Sequence, residues 1–363
     1  MTGDTLPAVA VTGLHRGESP QPGGAVAESL RIRFPALRII GLCYDPMESG
    51  IYSTGADRLD AARLMPFPGT GTGALMQRLG GIVAQDGIGA IIPCLDSELQ
   101  NYAAVAAELA TQGVRMLRPE PAALQRRDKA QLAVLCRTLG IATPRTAEAS
   151  DPVTLAGHAA RIGYPCYVKG RLYDARRVTT LAELHAAFHD IFAVWGGPVL
   201  VQEAVEGEEY DIAGIGDGKG GLEAFCTIRK LLRSRLGKGF AGVVLDNPGL
   251  ERIARRIVAE LRWDGPFELE FIRPPGGEPL LMEMNPRFPA WISFPAKIGC
   301  NMPAAMLERL LGLPRTPLPR CEAGKMFFRH CADIVGDVAT LAKLSADQAD
   351  GAAPCRNATT PRP

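Results

Sequence analysis

The first third of the chain alternates two kinds of stretch. Ala8-Val-Ala-Val-Thr12, Arg38-Ile-Ile-Gly-Leu-Cys43, Gly89-Ala-Ile-Ile-Pro-Cys94 and Val114-Arg-Met-Leu117 are short apolar runs that suit buried parallel strands. Between them, residues 24–34, 74–85 and 98–112 carry apolar positions at helical spacing. This alternation predicts a small doubly wound α/β unit over residues 1–119. The proline-rich joint Arg118-Pro-Glu-Pro121 closes it.

Beyond the joint the periods change repeatedly. An amphipathic helix is predicted over 126–140, carrying Lys129 near its start and stopped by Gly140. Tyr164-Pro-Cys-Tyr-Val-Lys169 reads as a turn and then a strand ending in a lysine, and 181–194 as a helix. Residues 199–212 give two strands joined through Gly207, and 221–232 give another. A basic, glycine-broken stretch follows, Arg229-Lys230 to Gly242. A helix over 247–262 leads into the most informative segment. Phe267-Glu-Leu-Glu-Phe-Ile-Arg273 and Leu280-Leu-Met-Glu-Met-Asn-Pro-Arg287 each alternate apolar and polar residues, and Pro274-Pro-Gly-Gly-Glu-Pro279 forms a turn between them. The pattern predicts a β-hairpin. A helix over 302–311 and a strand over 325–330 complete the ordered part, and residues from about 345 to 363 lack an apolar period and read as a disordered tail.

With 363 residues and 47% hydrophobic content, two or three packed domains are within reach. The net charge of +1, from 40 basic and 39 acidic residues, supplies no bulk attraction to nucleic acid or membrane. Nine dispersed cysteines without a Cys-x-x-Cys pair read as free thiols of a reducing compartment. No apolar run reaches the length of a membrane span, and the first residues lack a signal-peptide pattern. A cytoplasmic protein is expected, with neither nucleic acid nor membrane as partner.

The hairpin carries the sharpest chemistry. Glu268 and Glu270 share one strand face, as do Glu283 and Asn285, and antiparallel pairing brings Glu270 toward Glu283 and Asn285. Such hard oxygen ligands suit Mg²⁺, which usually also takes oxygens from a phosphate. The alternative is a surface hairpin with solvated carboxylates. Lys169, at a strand end before a glycine, can reach a phosphate or merely snorkel. Lys230 has the same two readings. Glu203 and Glu209 fall where a sugar hydroxyl or an adenine amino group can be bound. The glycine-rich turn over 11–24 departs from the G-x-G-x-x-G spacing, so it counts against an NAD-dependent oxidoreductase and leaves an anion site, a structural turn or a substrate edge. Asp96 and Ser97 either cap the next helix or face a ligand. His185 and His189, at i and i+4, form a metal pair only if a third ligand exists. Cys166 and Cys300 read as buried packing.

Taken in order, these motifs resemble the ATP-grasp superfamily, most nearly the carboxylate–amine ligases like the large subunit of carbamoyl phosphate synthetase. The likeness runs from about Pro7 to Arg329, and Met282-Glu-Met-Asn-Pro-Arg287 looks like the family's Glu-x-Asn-Pro-Arg signature. The resemblance implies an ATP-grasp fold behind an N-terminal Rossmann-like domain (1–119). The ATP-grasp domain itself would span 120–340, with a small lid subdomain about 145–204 and two α+β subdomains holding the nucleotide. It implies ATP and Mg²⁺, one ion or two with Mn²⁺ as a substitute, on Glu270, Glu283 and Asn285. It places Lys129 and Lys169 on phosphates, Glu203 and Val205 at the adenine hinge, and Glu209 at the ribose. Arg287 would hold the substrate carboxylate, with Lys230 beside it. One departure stands out: where the family has a glycine- and serine-rich loop, this chain has Gly170-Arg-Leu-Tyr-Asp-Ala-Arg-Arg-Val178. Arg176 or Arg177 is expected there as a phosphate ligand. The reaction implied is ADP-forming ligation of a small carboxylate, an amino acid or peptide among the choices, to an amine. A non-catalytic ATP-binding regulator or scaffold is the alternative, and the family's habits allow a homodimer. Trp291 and Phe294 form either an apolar pocket wall or core.

Overall fold

The computed structural model describes residues 6–117, 119–171, 174–234 and 237–347. The first unit runs β1 (Ala8–Val11), α1 (Gly23–Arg33), β2 (Ile39–Cys43), β3 (Ala61–Leu64), α2 (Thr72–Asp86), β4 (Ile88–Ile92) and α3 (Leu99–Thr111). Its strands pair in parallel in the order β3-β2-β1-β4, as apolar runs separated by helices require. Edge strand β3 was not expected, because Ala61-Ala-Arg-Leu64 lacks the branched residues that mark strands. The strand expected over 114–117 is reduced to a single bridge, Ala90 to Arg115. Pro119 and Pro121 follow and have no N–H to extend a ladder.

The next stretch holds α4 (Pro121–Arg126), α5 (Lys129–Thr138), β5 (Thr146–Ala149), α6 (Pro152–Ile162), β6 (Cys166–Lys169), β7 (Ala175–Val178), α7 (Leu181–Trp195) and β8 (Val199–Glu203). The helix expected over 126–140 starts only at Lys129, and α4, which was not expected, ends before Asp128. This residue takes an extended ψ of 144°, and its carboxylate accepts from Ala130 N, capping α5. The cap puts Lys129 at the first position of α5. Strands β5-β8-β6-β7 form an antiparallel sheet in that order. One face of that sheet is closed by α6 and α7 through Leu155, Val168, Leu184, Phe188 and Val201.

The remaining elements are β9 (Glu208–Asp217), β10 (Leu222–Arg233), β11 (Gly239–Val244), α8 (Pro248–Leu261), β12 (Asp264–Arg273), β13 (Leu280–Asn285), α9 (Ser293–Lys297), α10 (Met302–Leu311), β14 (Met326–Phe328) and α11 (Val338–Asp347). They build a six-stranded sheet, β13-β12-β9-β10-β11-β14. The expected hairpin is β12 and β13, but β12 lies inside the sheet, paired along its length with β9. The two strands expected around Gly207 belong to different sheets, so the chain crosses at that glycine. A Cβ on Gly207 would lie 2.1 Å from the Arg273 carbonyl oxygen. The expected tail begins inside α11, and residues 348–363 lie outside the described residues.

Alternation divides the large sheet into two faces. Ile212, Phe267, Leu269, Phe271, Leu281 and Met284 pack beneath α8 and α5. On the opposite face, Ala213 and Ile215 join the parallel sheet, α1 and α10 in one continuous core. Where that core stops, the same face carries Asp211, Glu268 and Glu270. The charged residues thus lie between the large sheet and the carboxyl ends of the parallel strands, where open α/β sheets bind ligands. Among the described residues no helix is long and apolar enough to cross a membrane.

Candidate active site

Pairing across β9, β12 and β13 aligns Asp211, Glu270 and Glu283 in one row, and Ala213, Glu268 and Asn285 in the next. Directly paired residues share a face, so the rows project together. Asn285 donates through Nδ2 to Glu268 Oε2 at 3.0 Å and to Glu270 Oε1 at 2.9 Å. Glu268 also accepts from Arg287 Nη1 at 2.7 Å and from Trp291 Nε1 at 3.2 Å. The family resemblance leaves Glu268 out of the ligand set, and in the sequence it has only its facing direction, shared with Glu270. In the fold that facing direction makes it the centre of the network.

Arg287 is 8% exposed. Besides Glu268, it donates through Nε to Asp96 Oδ2 at 3.3 Å, and Asp96 also lies 3.6 Å from Arg127 Nη1. Burial works against its charge, but Asp96, Glu268 and Glu270 hold the guanidinium above its ordinary range. Asp96 therefore serves the site. The expected capping role fails: α3 starts after Glu98 without a side-chain cap. Glu98 has a different task, accepting from the backbone N–H groups of Cys94 and Leu95 and from the hydroxyls of Thr12 and Tyr44. It ties together the loops after β1, β2 and β4, and burial pushes its carboxyl up to about 7.

Lys230 points inward, its side chain 4% exposed. Its ammonium lies 3.0 Å from Glu270 Oε2, 3.1 Å from Asp211 Oδ1 and 3.6 Å from Glu209 Oε2. Burial opposes the charge, and the carboxylates of Asp211, Glu270 and Glu209 overcome it, so Lys230 stays an ammonium. Burial likewise acts to raise Glu270, yet Lys230, Lys238 and Arg287 hold it down at about 2. Asp211, which sequence reasoning missed, is buried, and desolvation pushes its carboxyl up against the pull of Lys230. Its signal was faint: one acid before Ile212 in a strand whose partner was unknown.

Lys129 Nζ lies 3.4 Å from Glu283 Oε1. Lys169 donates to Gln202 Oε1 at 2.7 Å. Burial and then the Lys129 ammonium push Lys169 down to about 8, against the opposing pull of Glu283, Glu270 and Glu209. These five residues thus share one electrostatic neighbourhood. Glu209 is also ion-paired to Arg233. Glu203 closes β8 and pairs with Arg145 at 3.1 Å, and Val205 lies in the crossing between the sheets. Arg176 is not brought to this group. It pairs in register with Val168, which faces the α6–α7 core, and its guanidinium meets Asp190 of α7. Arg177, opposite Tyr167, is on the Lys169 side instead. Leu172 and Tyr173 of that loop lie outside the described residues.

A cavity of about 690 Å³ opens beside Glu270, Lys230 and Arg287. The turn after β1 lines it through His15, Ser19 and Gln21, which supports the substrate-edge reading of that turn. Trp291 forms part of the wall, whereas Phe294 packs in the core against Phe327. Cys166 and Cys300 are buried, as expected. Among the described residues no group of three His, Cys, Asp or Glu is arranged for a metal, so His185 and His189 gain no third ligand. The facing carboxylates of Glu270 and Glu283, with the Asn285 carboxamide beside them, still fit a cation of one kind. Mg²⁺ binds through one or two carboxylates when phosphate oxygens supply the rest of its shell.

Residues 197–326 match the family described as ATP-grasp in the biosynthetic pathway with Ter operon. No curated protein matches the sequence. Among solved structures, the chain is similar to a biotin carboxylase–beta-gamma-ATP complex from Campylobacter jejuni (TM-score 0.65, 16% identity, 88% of this chain and 74% of that one). It is also similar to an L-amino acid ligase from Bacillus licheniformis (TM-score 0.62, 14% identity, 85% and 75%). A third likeness is to carboxyaminoimidazole ribonucleotide synthase from Aspergillus clavatus complexed with ATP (TM-score 0.64, 18% identity, 89% and 81%). The parallel sheet followed by two antiparallel sheets, together with these likenesses, makes this an ATP-grasp fold, that of the superfamily its motifs resemble.

Proposed function

We propose that the chain is an ADP-forming ligase that activates a carboxylate with ATP and joins it to an amine. The observation that carries this reading is the shared neighbourhood of Lys129, Lys169, Glu270, Glu283 and Glu209, bordered by Arg287 and an open cavity. Two anions must meet in such a reaction, and the group answers that need with fixed charge. Glu270, Glu283 and Asn285 would hold Mg²⁺, one ion or two with Mn²⁺ as substitute, which supplies neutralisation of the β- and γ-phosphates when bound. Lys129 and Lys169 bind phosphate oxygens. Glu203 and Val205, at the crossing from β8 to β9, receive adenine, and Glu209 receives the ribose. Arg287 holds the substrate carboxylate, its orientation set by Glu268 and Asp96.

A carboxylate oxygen then attacks the γ-phosphorus. The bond from that phosphorus to the β–γ bridging oxygen breaks, and ADP leaves with the electron pair. The amine nitrogen attacks the acyl carbon of the resulting acyl phosphate. The carbon–oxygen bond breaks, inorganic phosphate departs, and the ammonium proton is lost to solvent. Lys230, an ammonium throughout, acts by charge and positioning rather than as a base. Phosphoryl transfer of this kind rests mainly on such positioning and electrostatics.

The test is Mg²⁺-dependent ADP release across a panel of acids and amines, amino acids included. Glu283→Ala should abolish release. A Glu283→Ala variant that turns over at the wild-type rate would sink the assignment. ATP binding without ADP release by any mixture would favour a non-catalytic ATP-binding protein.

A further inference from the structure

Among the cationic side chains around the cavity two stand apart, and the carboxylates of Asp45 and Glu48 line it as well. Lys230 faces Asp211, Glu270 and Glu209; Arg287 faces Glu268 and Asp96; Arg127 faces Asp96. Arg329 and Lys238 also line the cavity, and neither has a salt bridge to a carboxylate among the described residues, although Lys238 is near enough to Glu270 to hold its carboxyl down. Arg329 follows β14, where its backbone N–H continues the pairing with β11 by donating to Phe240 O at 2.7 Å. Its guanidinium donates to Ala290 O at 2.8 Å and Gly239 O at 3.4 Å, with the Phe240 ring 6.0 Å away. Those contacts fix the fork between two segments of the wall yet use two of its five N–H donors. Partial burial, with Arg16 nearby, disfavours the charge. A fixed, partly desolvated guanidinium without a counter-ion is costly unless a ligand supplies the anion.

We propose that Arg329 and Lys238 form an anion subsite, so that the acid substrate carries a second anionic group, a carboxylate or a phosphate, besides the carboxylate held by Arg287. This rests on the ligase reading and narrows its substrate class to dianionic acids. Arg329 suits the role because its planar fork matches either oxyanion, and its contact with Gly239 couples it to the segment carrying Lys238. The neighbouring turn adds His15 and, at the cavity edge, Gln21. A volume of about 690 Å³ has room for an acid of this kind together with its amine.

The subsite is tested by binding, without turnover. The full-length protein, saturated with Mg²⁺ and a non-hydrolysable ATP analogue, is titrated calorimetrically with dicarboxylates of four to six carbons and with phosphorylated hydroxy acids. Each probe is compared with its monoanionic counterpart, the half-amide or the unphosphorylated acid. At least one dianion should bind about tenfold or more tighter than its counterpart, the range of one charge-assisted contact. Arg329→Gln should remove that preference with analogue affinity within about twofold of wild type, and Lys238→Gln should reduce it. The two arms tell a carboxylate from a phosphate. Equal binding of every dianion and its counterpart, or an intact preference in Arg329→Gln, overturns the proposal. Lys238→Gln, in a loop, serves if Arg329→Gln fails to fold; an unchanged preference in it then overturns the subsite. Dianion binding without ADP release would contradict the ligase reading alone. ADP release with no dianion preference would contradict the subsite alone.

Discussion

Glu268 offers the most searching perturbation of the site. Its two oxygens accept from Arg287 at 2.7 Å, Asn285 at 3.0 Å and Trp291 at 3.2 Å, and the residue is 5% exposed. Glu268→Ala leaves Arg287 with Asp96 at 3.3 Å and the Phe288 carbonyl at 3.2 Å, leaves Asn285 with Glu270, and strips the Trp291 N–H of its acceptor. Removing one partner of a buried ion pair costs roughly 3–5 kcal/mol, and the surviving Asp96 contact puts the expectation near the lower end, about 3 kcal/mol. Glu268→Gln keeps one acceptor and the shape, so about 1–2 kcal/mol is expected, the range of one orphaned donor. Urea unfolding followed by tryptophan fluorescence measures both. In the ligase reading, the same variants should raise the KM for the acid at least about tenfold, because Arg287 loses its orientation, while the KM for ATP changes little. Stabilities of both variants within about 1 kcal/mol of wild type, below the range for one orphaned buried donor, would refute the claim that Glu268 positions Arg287.

Lys169 ties nucleotide binding to pH. With its pKa pushed down to about 8 in the free protein, ATP phosphates that bind the charged form should draw in about 0.1 proton at pH 7 and about 0.9 at pH 9. ATP affinity should accordingly fall about tenfold per pH unit well above 8. Calorimetry in two buffers of different ionisation heat measures the uptake, and Lys169→Met should abolish it. At the crossing between sheets, Gly207→Ala would force a Cβ to 2.1 Å from a backbone carbonyl; backbone cannot swing aside as a side chain does. A loss of about 1–3 kcal/mol in urea unfolding is expected.

Legibility in the sequence followed the range of the interactions. The hairpin was readable because period-two alternation and a turn are local, and they bring Glu270, Glu283 and Asn285 together without knowledge of the rest. The N-terminal strands were readable as apolar runs, apart from β3, too short and alanine-rich to stand out. Whatever depended on pairing between distant segments was hidden. Asp211 belongs to the acidic row only because β9 lies beside β12, and the roles of Arg176 and Arg177 turn on which faces Val168. Asp96 looked like a helix cap, since Arg287 is distant in sequence. The start of α5 at Asp128 was local and still overlooked, because the capping aspartate sits between two basic residues, Arg127 and Lys129, in a polar run that reads as the first turn of the helix.

The central claim is that ATP activates a carboxylate as an acyl phosphate, and hydroxylamine tests it most directly. It intercepts acyl phosphates irrespective of the natural amine, giving a hydroxamate. Incubated with Mg²⁺, ATP, hydroxylamine and an acid the protein accepts, the account predicts hydroxamate and ADP in equal amounts, with neither formed by Glu283→Ala. AMP and pyrophosphate as products, or ADP without hydroxamate, would contradict it.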